Sequence, residues 1–117
     1  MPVPREGDKI LIVKPPWIDL ILTGLKTMEI RGKPFRSGGY WIGHKGKIYG
    51  RVSLDTAMRV RDQAHWRALR SMHRVEAEEP MYKKSFGLPI LEAERLPSIP
   101  YKVKKGAIGI VKFCEAP

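Results

Sequence analysis

The chain contains one cysteine, Cys114, among 117 residues. A lone thiol excludes an internal disulfide and removes the cysteine pairs on which most structural zinc sites are built. Histidine is as sparse: His44, His65 and His73 are dispersed, and the nearest two are eight residues apart, about two helical turns and too far for one ion. The expectation is a protein without metal or cofactor. No apolar run approaches the roughly 18 residues that a bilayer-crossing helix needs, so no membrane partner is expected. Met1 to Lys9 is polar and charged and has no apolar signal core, which makes the cytoplasm the expected location. Repeats, low-complexity tracts and linkers are absent as well, which excludes solenoids and arrays. The remaining scarcity is of acid: 12 Asp and Glu stand against 22 Lys and Arg, a net charge of +10.

What is present is ordinary for a folded domain, with 43% hydrophobic and 29% charged residues. At this length about two-thirds of the unfolded surface can be buried, so one core forms without staples. The division expected is a short N-terminal arm over residues 1–8 and a single domain over 9–117. Residues 1–60 hold 11 basic and 5 acidic groups, and residues 61–117 hold 11 and 7, so the excess runs through the fold and is no basic tail. Such a balance favours a polyanion, with nucleic acid the first to consider.

Lys9 to Lys14 reads as a buried strand. Pro15 and Pro16 then open a short helix over residues 15–23, in which Trp17, Leu20 and Ile21 recur at helical spacing. Gly24 terminates it. Further strands are expected over 26–31, Tyr40–Gly43 and Lys47–Leu54, where Gly50 signals a bulge or a close backbone approach. Arg61 to Arg74 reads as a second helix. Phe86 to Leu96 reads as a strand that Pro89 confines to an edge or a bulge, Pro97 to Pro100 as a connector, and Gly106 to Phe113 as a closing strand. About six short strands and two helices point to an α+β domain with a small, partly closed barrel.

The stretch Gly24 to Arg31 carries the most chemistry. Read with period two, Thr27, Glu29 and Arg31 share one strand face, and Met28 and Ile30 share the other. The apolar pair enters a core, and the acid and base stand side by side behind Lys26 at the strand entrance. The same pattern suits a polar cleft wall or a half-exposed strand with a surface ion pair.

In this order of features the chain resembles the ASCH (activating signal cointegrator homology) domain family of the PUA-like superfamily. The family's G-x-K-x-x-E-x-R pattern after a short first helix is met by Gly24, Lys26, Glu29 and Arg31. Ile48-Tyr49-Gly50-Arg51-Val52 is similar to its I-x-G-x-V strand, and Tyr82 to Lys112, with Pro100-Tyr101 and Gly106, to its closing half. The resemblance implies a PUA-like barrel with a cleft beside the motif that takes RNA, a nucleotide or a modified nucleoside. Some bacterial members are amidohydrolases that deacetylate N4-acetylcytidine with a lysine, a threonine and a glutamate, and at least one is a ribonuclease. Lys26 falls on that lysine. Glu29 holds the threonine's place, Thr27 lies one residue after Lys26, and Glu76, Glu78 and Glu79 are candidates for the partner glutamate by location only.

If the protein is an enzyme, its expected catalytic residues are Lys26, Glu29 and Thr27. As a nucleic-acid-binding module it is expected to use Lys26, Glu29, Arg31, Trp17, Tyr82 and Lys83. Arg31 offers a planar donor fork for phosphate or a base edge. Glu29 either holds Arg31, accepts an exocyclic amine from a base, or acts as a general base. Lys26 supplies charge to a phosphate, and a catalytic role for it requires a depressed pKa. Trp17 is either a stacking platform or core, and Tyr82 with Lys83 and Lys84 is either an RNA contact or a solvated loop. Lys102, Lys104 and Lys105 are expected to attract phosphates without specificity.

Overall fold

The computed structural model describes residues 3–106 and 108–117. Among these are seven strands and three short helices: β1 (Lys9–Ile12), α1 (Trp17–Leu22), β2 (Met28–Arg31), β3 (Gly38–His44), β4 (Lys47–Leu54), β5 (Met58–Arg59), α2 (Gln63–Ala68), α3 (Arg70–His73), β6 (Phe86–Pro100) and β7 (Ile110–Lys112). The strands form one α+β sheet in the order β2-β6-β4-β3-β1-β7, with β5 also on β6. Only β1 and β3 run parallel; α1 and β2 lie between them in the chain, in keeping with the crossover that a parallel pair requires.

The sheet is long enough to curl because β6 serves two partners. Its first residues pair with β2, Met28 opposite Pro89, and its later ones with β4, Leu54 opposite Ile90. Pro89 stands at the changeover, where the register shifts and its carbonyl accepts from the Asp55 N–H at 2.9 Å. The expected irregularity at Pro89 is present. The expected connector over residues 97–100 is not: the strand continues to Pro100, with Ile99 opposite Ile48. Between Ile48 and Gly50 the ladder slips, so Pro97 lies in a bulge that asks nothing of its missing N–H. Gly50 shows why the strand needs glycine there. A Cβ at this position would sit 2.3 Å from the Glu94 carbonyl oxygen and 2.6 Å from Leu22.

The expected single helix over 61–74 is broken at Leu69 into α2 and α3. Asp62 caps the first, its side chain accepting from the His65 N–H at 2.8 Å. The break lets His73 fold back so that its ring stacks on Trp66, centroids 4.0 Å apart, and its Nε2 meets the Trp66 carbonyl at 3.0 Å. In a continuous helix seven residues span about 10 Å, and neither contact forms. Arg74 then turns the chain with a left-handed backbone, φ 63°.

Burial gathers in three clusters. Leu11, Val13, Ile18, Ile21, Tyr40, Ile42, Val52, Leu54 and Leu88 fill the curl. Ile10, Trp41, Ile48, Leu96, Tyr101 and Phe113 cover the other face. Met28, Ile30, Val60, Trp66, Leu69 and Val75 join β2 to α2 and α3. Trp17 packs against the first and the third, which places it where the curled sheet meets the α2–α3 layer.

Candidate functional site

The strand path ends at β2 on one side and at β1 and β7 on the other. No ladder joins these ends; a side chain does. The Arg31 Nη2 donates to the Ile12 carbonyl at 2.6 Å, tying the last residue of β2 to the last of β1. A cleft of about 330 Å³ opens along this seam, at the small end of the span of small-molecule sites. Ile12, Val13 and Lys14 line one wall and Lys26, Glu29, Ile30 and Arg31 the other, with Trp17, His44, Val75, Met81, Tyr82 and Ile108 around them.

The local fold explains the inward turn of the motif. Gly24 closes α1 at φ 82°, its N–H bonded to the Ile21 carbonyl, and the Lys26 N–H then bonds back to the Leu20 carbonyl at 2.9 Å. This tight return sends the Lys26 side chain under the helix, where only 1% of the residue is exposed. Its ammonium donates to the His73 carbonyl, stands 3.6 Å from Glu29 Oε1, and lies 4.9 Å from the centre of the Trp17 ring. Burial drives its pKa below the ordinary lysine value; the Glu29 carboxylate pulls it back up, and the Arg31 charge lowers it.

Glu29 is 6% exposed and sits between the two cations. Its Oε2 accepts from Arg31 Nη2 at 2.8 Å and Nε at 3.2 Å, and its Oε1 accepts from the Ile30 N–H at 3.1 Å. Three protein hydrogen bonds thus reach the carboxylate, and the Lys26 ammonium adds a charge beside Oε1 at 3.6 Å without bonding to it. Arg31 has donors to spare. Its Nη1 finds no partner among the described residues, yet no buried side-chain nitrogen or oxygen among them lacks one, so Nη1 is reached by solvent on a side chain that lines the cleft. The inner wall therefore offers N–H groups and a net charge of one positive unit, around a carboxylate most of whose acceptor positions are taken by protein donors.

His73 sets this wall from behind. The ring is fully buried, and Nδ1 accepts from the Val75 N–H at 2.9 Å. Nε2 must then carry the proton and donate to Trp66. Burial lowers the His73 pKa below 6.5, the Trp66 carbonyl opposes this, and Lys26 and Arg70 add to it. The mouth is apolar and exposed: Met81 and Tyr82 on the loop before β6 face the cleft together with Ile108, 86% exposed, before β7. Gly32 makes room for Tyr82, whose ring carbon would lie 3.2 Å from a Cβ there.

Residues 11–105 match the ASCH domain pattern. The chain belongs to the ASCH domain family. Among solved structures it is similar to an ASCH mutant protein from Zymomonas mobilis, with a TM-score of 0.70 at 14% identity over 96% of this chain and 92% of that one. A second ASCH structure from the same organism gives 0.67 at 15% identity, over 80% and 73%. At these identities the likeness is one of fold. None of the curated proteins compared matches the chain at a significant level.

Of the residues singled out from sequence, this ASCH domain brings Trp17, Lys26, Glu29, Arg31 and Tyr82 to one cleft. Thr27 is exposed and absent from its lining; its backbone is spent on the Met72 carbonyl and the Ile90 N–H. Lys83 and Lys84 are exposed beyond the lining, as are Glu76, Glu78 and Glu79, with Glu78 paired to Arg67 at 3.2 Å. Trp17 is half-buried against two core clusters and also lines the cleft. Sequence reasoning missed His44, Lys14 and Ile108 on the lining and His73 behind it, because no spacing signal links them to the motif. No group of three His, Cys, Asp or Glu side chains suited to a metal gathers among the described residues. No helix there is long and apolar enough to cross a membrane.

Proposed function

We propose that this ASCH domain binds one nucleotide unit of single-stranded RNA in the seam cleft. One observation carries the reading: the inner wall presents an unspent Arg31 donor and net positive charge, while its single carboxylate is bonded by Arg31 and Ile30 and paired with Lys26. Such a wall takes a phosphate or the acceptor edge of a base and disfavours a cation. The flat sides of Trp17 and Tyr82 and the apolar Met81 and Ile108 suit the faces of an unstacked base. Glu29 serves as the group that holds Arg31, the first of the roles its sequence position allowed. The likeness to RNA-reading PUA-like domains points the same way.

The test is titration of ribonucleoside monophosphates and short single-stranded RNA into the wild type, Arg31→Ala and Arg31→Lys. Arg31→Ala is expected to lose about 1–3 kcal/mol of binding. Arg31→Lys keeps the charge and loses the fork, so it falls between. Thermal melts of all three separate a lost contact from a lost fold. Equal affinity in folded wild type and Arg31→Ala sinks the reading.

A second reading rests on Lys26. Burial lowers its pKa, the condition for a lysine to act as a base in hydrolysis of a modified nucleoside such as N4-acetylcytidine. Cytidine release by the wild type that is lost in Lys26→Arg favours it. No release at high protein concentration leaves binding alone.

A further inference from the structure

A second recess of about 220 Å³ adjoins the cleft and shares Ile12 and His44 with it as a common wall. Its floor is apolar, from Tyr101 and Val111, and its rim carries the exposed Val103, Lys45 and Lys104. We propose that this recess takes the neighbouring nucleotide of the strand whose first unit fills the seam cleft, with Lys45 and Lys104 on the linking phosphate. The proposal rests on the nucleotide reading of the cleft and extends it from one unit to two.

Three observations support it. The two recesses together carry Lys14, Lys26, Arg31, Lys45 and Lys104 against the single carboxylate of Glu29, which is already neutralised. Three other hollows contain acids: one includes Asp8 beside Lys9 and Arg51, another Glu92 and Glu94 beside Arg51, and a third Glu6 and Glu115 with no basic residue. The positive track thus runs where the seam runs, although the overall excess is spread through the chain. Lys45 also occupies a backbone position that favours glycine or asparagine, φ 48°, ahead of Gly46 at φ 83°. A lysine held there is more than turn chemistry requires, and it puts a cation at the rim. Finally the turn is anchored: the Tyr101 N–H bonds to the Gly46 carbonyl at 2.9 Å, so rim and floor keep their relation before any ligand arrives.

The experiment compares ribonucleoside 3′-monophosphates with the corresponding dinucleoside monophosphates, one phosphate in each, on the wild type, Lys45→Gln/Lys104→Gln, and the control Arg61→Gln/Lys112→Gln. The dinucleoside form is expected to bind the wild type and the control about tenfold or more tighter than the monophosphate, the worth of one further seated unit. The Lys45/Lys104 variant is expected to lose most of that gain while binding the monophosphate as the wild type does. Monophosphate binding without a dinucleoside gain overturns the second subsite and leaves the cleft reading intact. So does a gain that survives in the Lys45/Lys104 variant. If neither form binds, the cleft reading fails and the second subsite falls with it.

Discussion

Glu29 is the residue on which the site balances. It is the single anion between two buried or half-buried cations, and it takes three hydrogen bonds from Arg31 and Ile30. Removing one partner of a buried ion pair costs about 3–5 kcal/mol, because the other charge is left without compensation. Glu29→Gln is therefore expected to cost at least that, as it strands both Lys26 and Arg31. Lys26→Met is expected to cost less: it removes a desolvated charge, leaves the bidentate Arg31 pair standing, and orphans one acceptor, the His73 carbonyl. Urea unfolding of the two variants measures the difference, and a Lys26→Met cost equal to or above that of Glu29→Gln contradicts this ordering. Arg31 has two attachments, a carboxylate and a carbonyl on another strand, and still keeps an open Nη1. Nε and Nη2 thus fix the guanidinium, and the proposed recognition falls to Nη1.

Among the elements, β4 depends on a glycine and α3 on a neutral histidine. Gly50→Ala would press a methyl group into the Glu94 backbone and Leu22, and overpacking of this kind costs about 1–3 kcal/mol or more. A melting temperature unchanged from wild type refutes the close approach. His73 has its pKa lowered in the fold, and an unfolded histidine titrates near 6.5. Above that pH both states are neutral and its contribution is complete. Below it the unfolded chain takes a proton that the folded one refuses, so stability falls with pH, by up to about 1.4 kcal/mol per unit, until the folded pKa is reached. NMR titration of the His73 ring is expected to give a midpoint below 6.5, and a midpoint at or above it contradicts the tautomer deduced from Val75 and Trp66. The elements differ in how plainly the sequence announces them. The alternation of Gly50, Val52 and Leu54 is local and the strand follows it, whereas the bulge at Tyr49, which no local pattern announces, turns Ile48 to the cluster on the other face. Gly24 ends α1 as its backbone freedom suggests. The break at Leu69 has no local signal, since it is set by the stacking of His73 on Trp66 and by the turn at Arg74. Pro97 misled in the opposite sense, because a bulge against Ile48 and Gly50 absorbs it. In the site, Lys26, Glu29 and Arg31 were legible because they lie within one short motif. Ile12, His44 and Ile108 join them only through the closure of the sheet.

At the scale of the molecule, the cleft exists because the sheet does not close. The end strands of the path, β2 and β7, share no ladder, and Arg31 spans the seam to Ile12, the last residue of β1. The net charge of +10 acts differently, as an attraction for any polyanion. The two contributions separate in salt: binding of a single strand weakens with a slope near −0.7 per phosphate contacted, so a longer RNA is expected to lose far more affinity than a monophosphate between low and moderate salt. Equal salt dependence for both would mean that the surface lysines take no part. The three tryptophans supply the most direct test of the cleft itself. Trp17 lines the cleft, the Trp41 indole is bonded to Asp8 at 3.1 Å, and the Trp66 indole to the Ala77 carbonyl at 2.7 Å. Each gives its own indole N–H signal in a nitrogen–proton NMR spectrum. On titration with a ribonucleoside monophosphate at moderate salt, the Trp17 signal is expected to move and saturate while those of Trp41 and Trp66 stay in place. A shift confined to Trp41, or saturable binding that leaves Trp17 unmoved, would contradict the seam cleft as the nucleotide site.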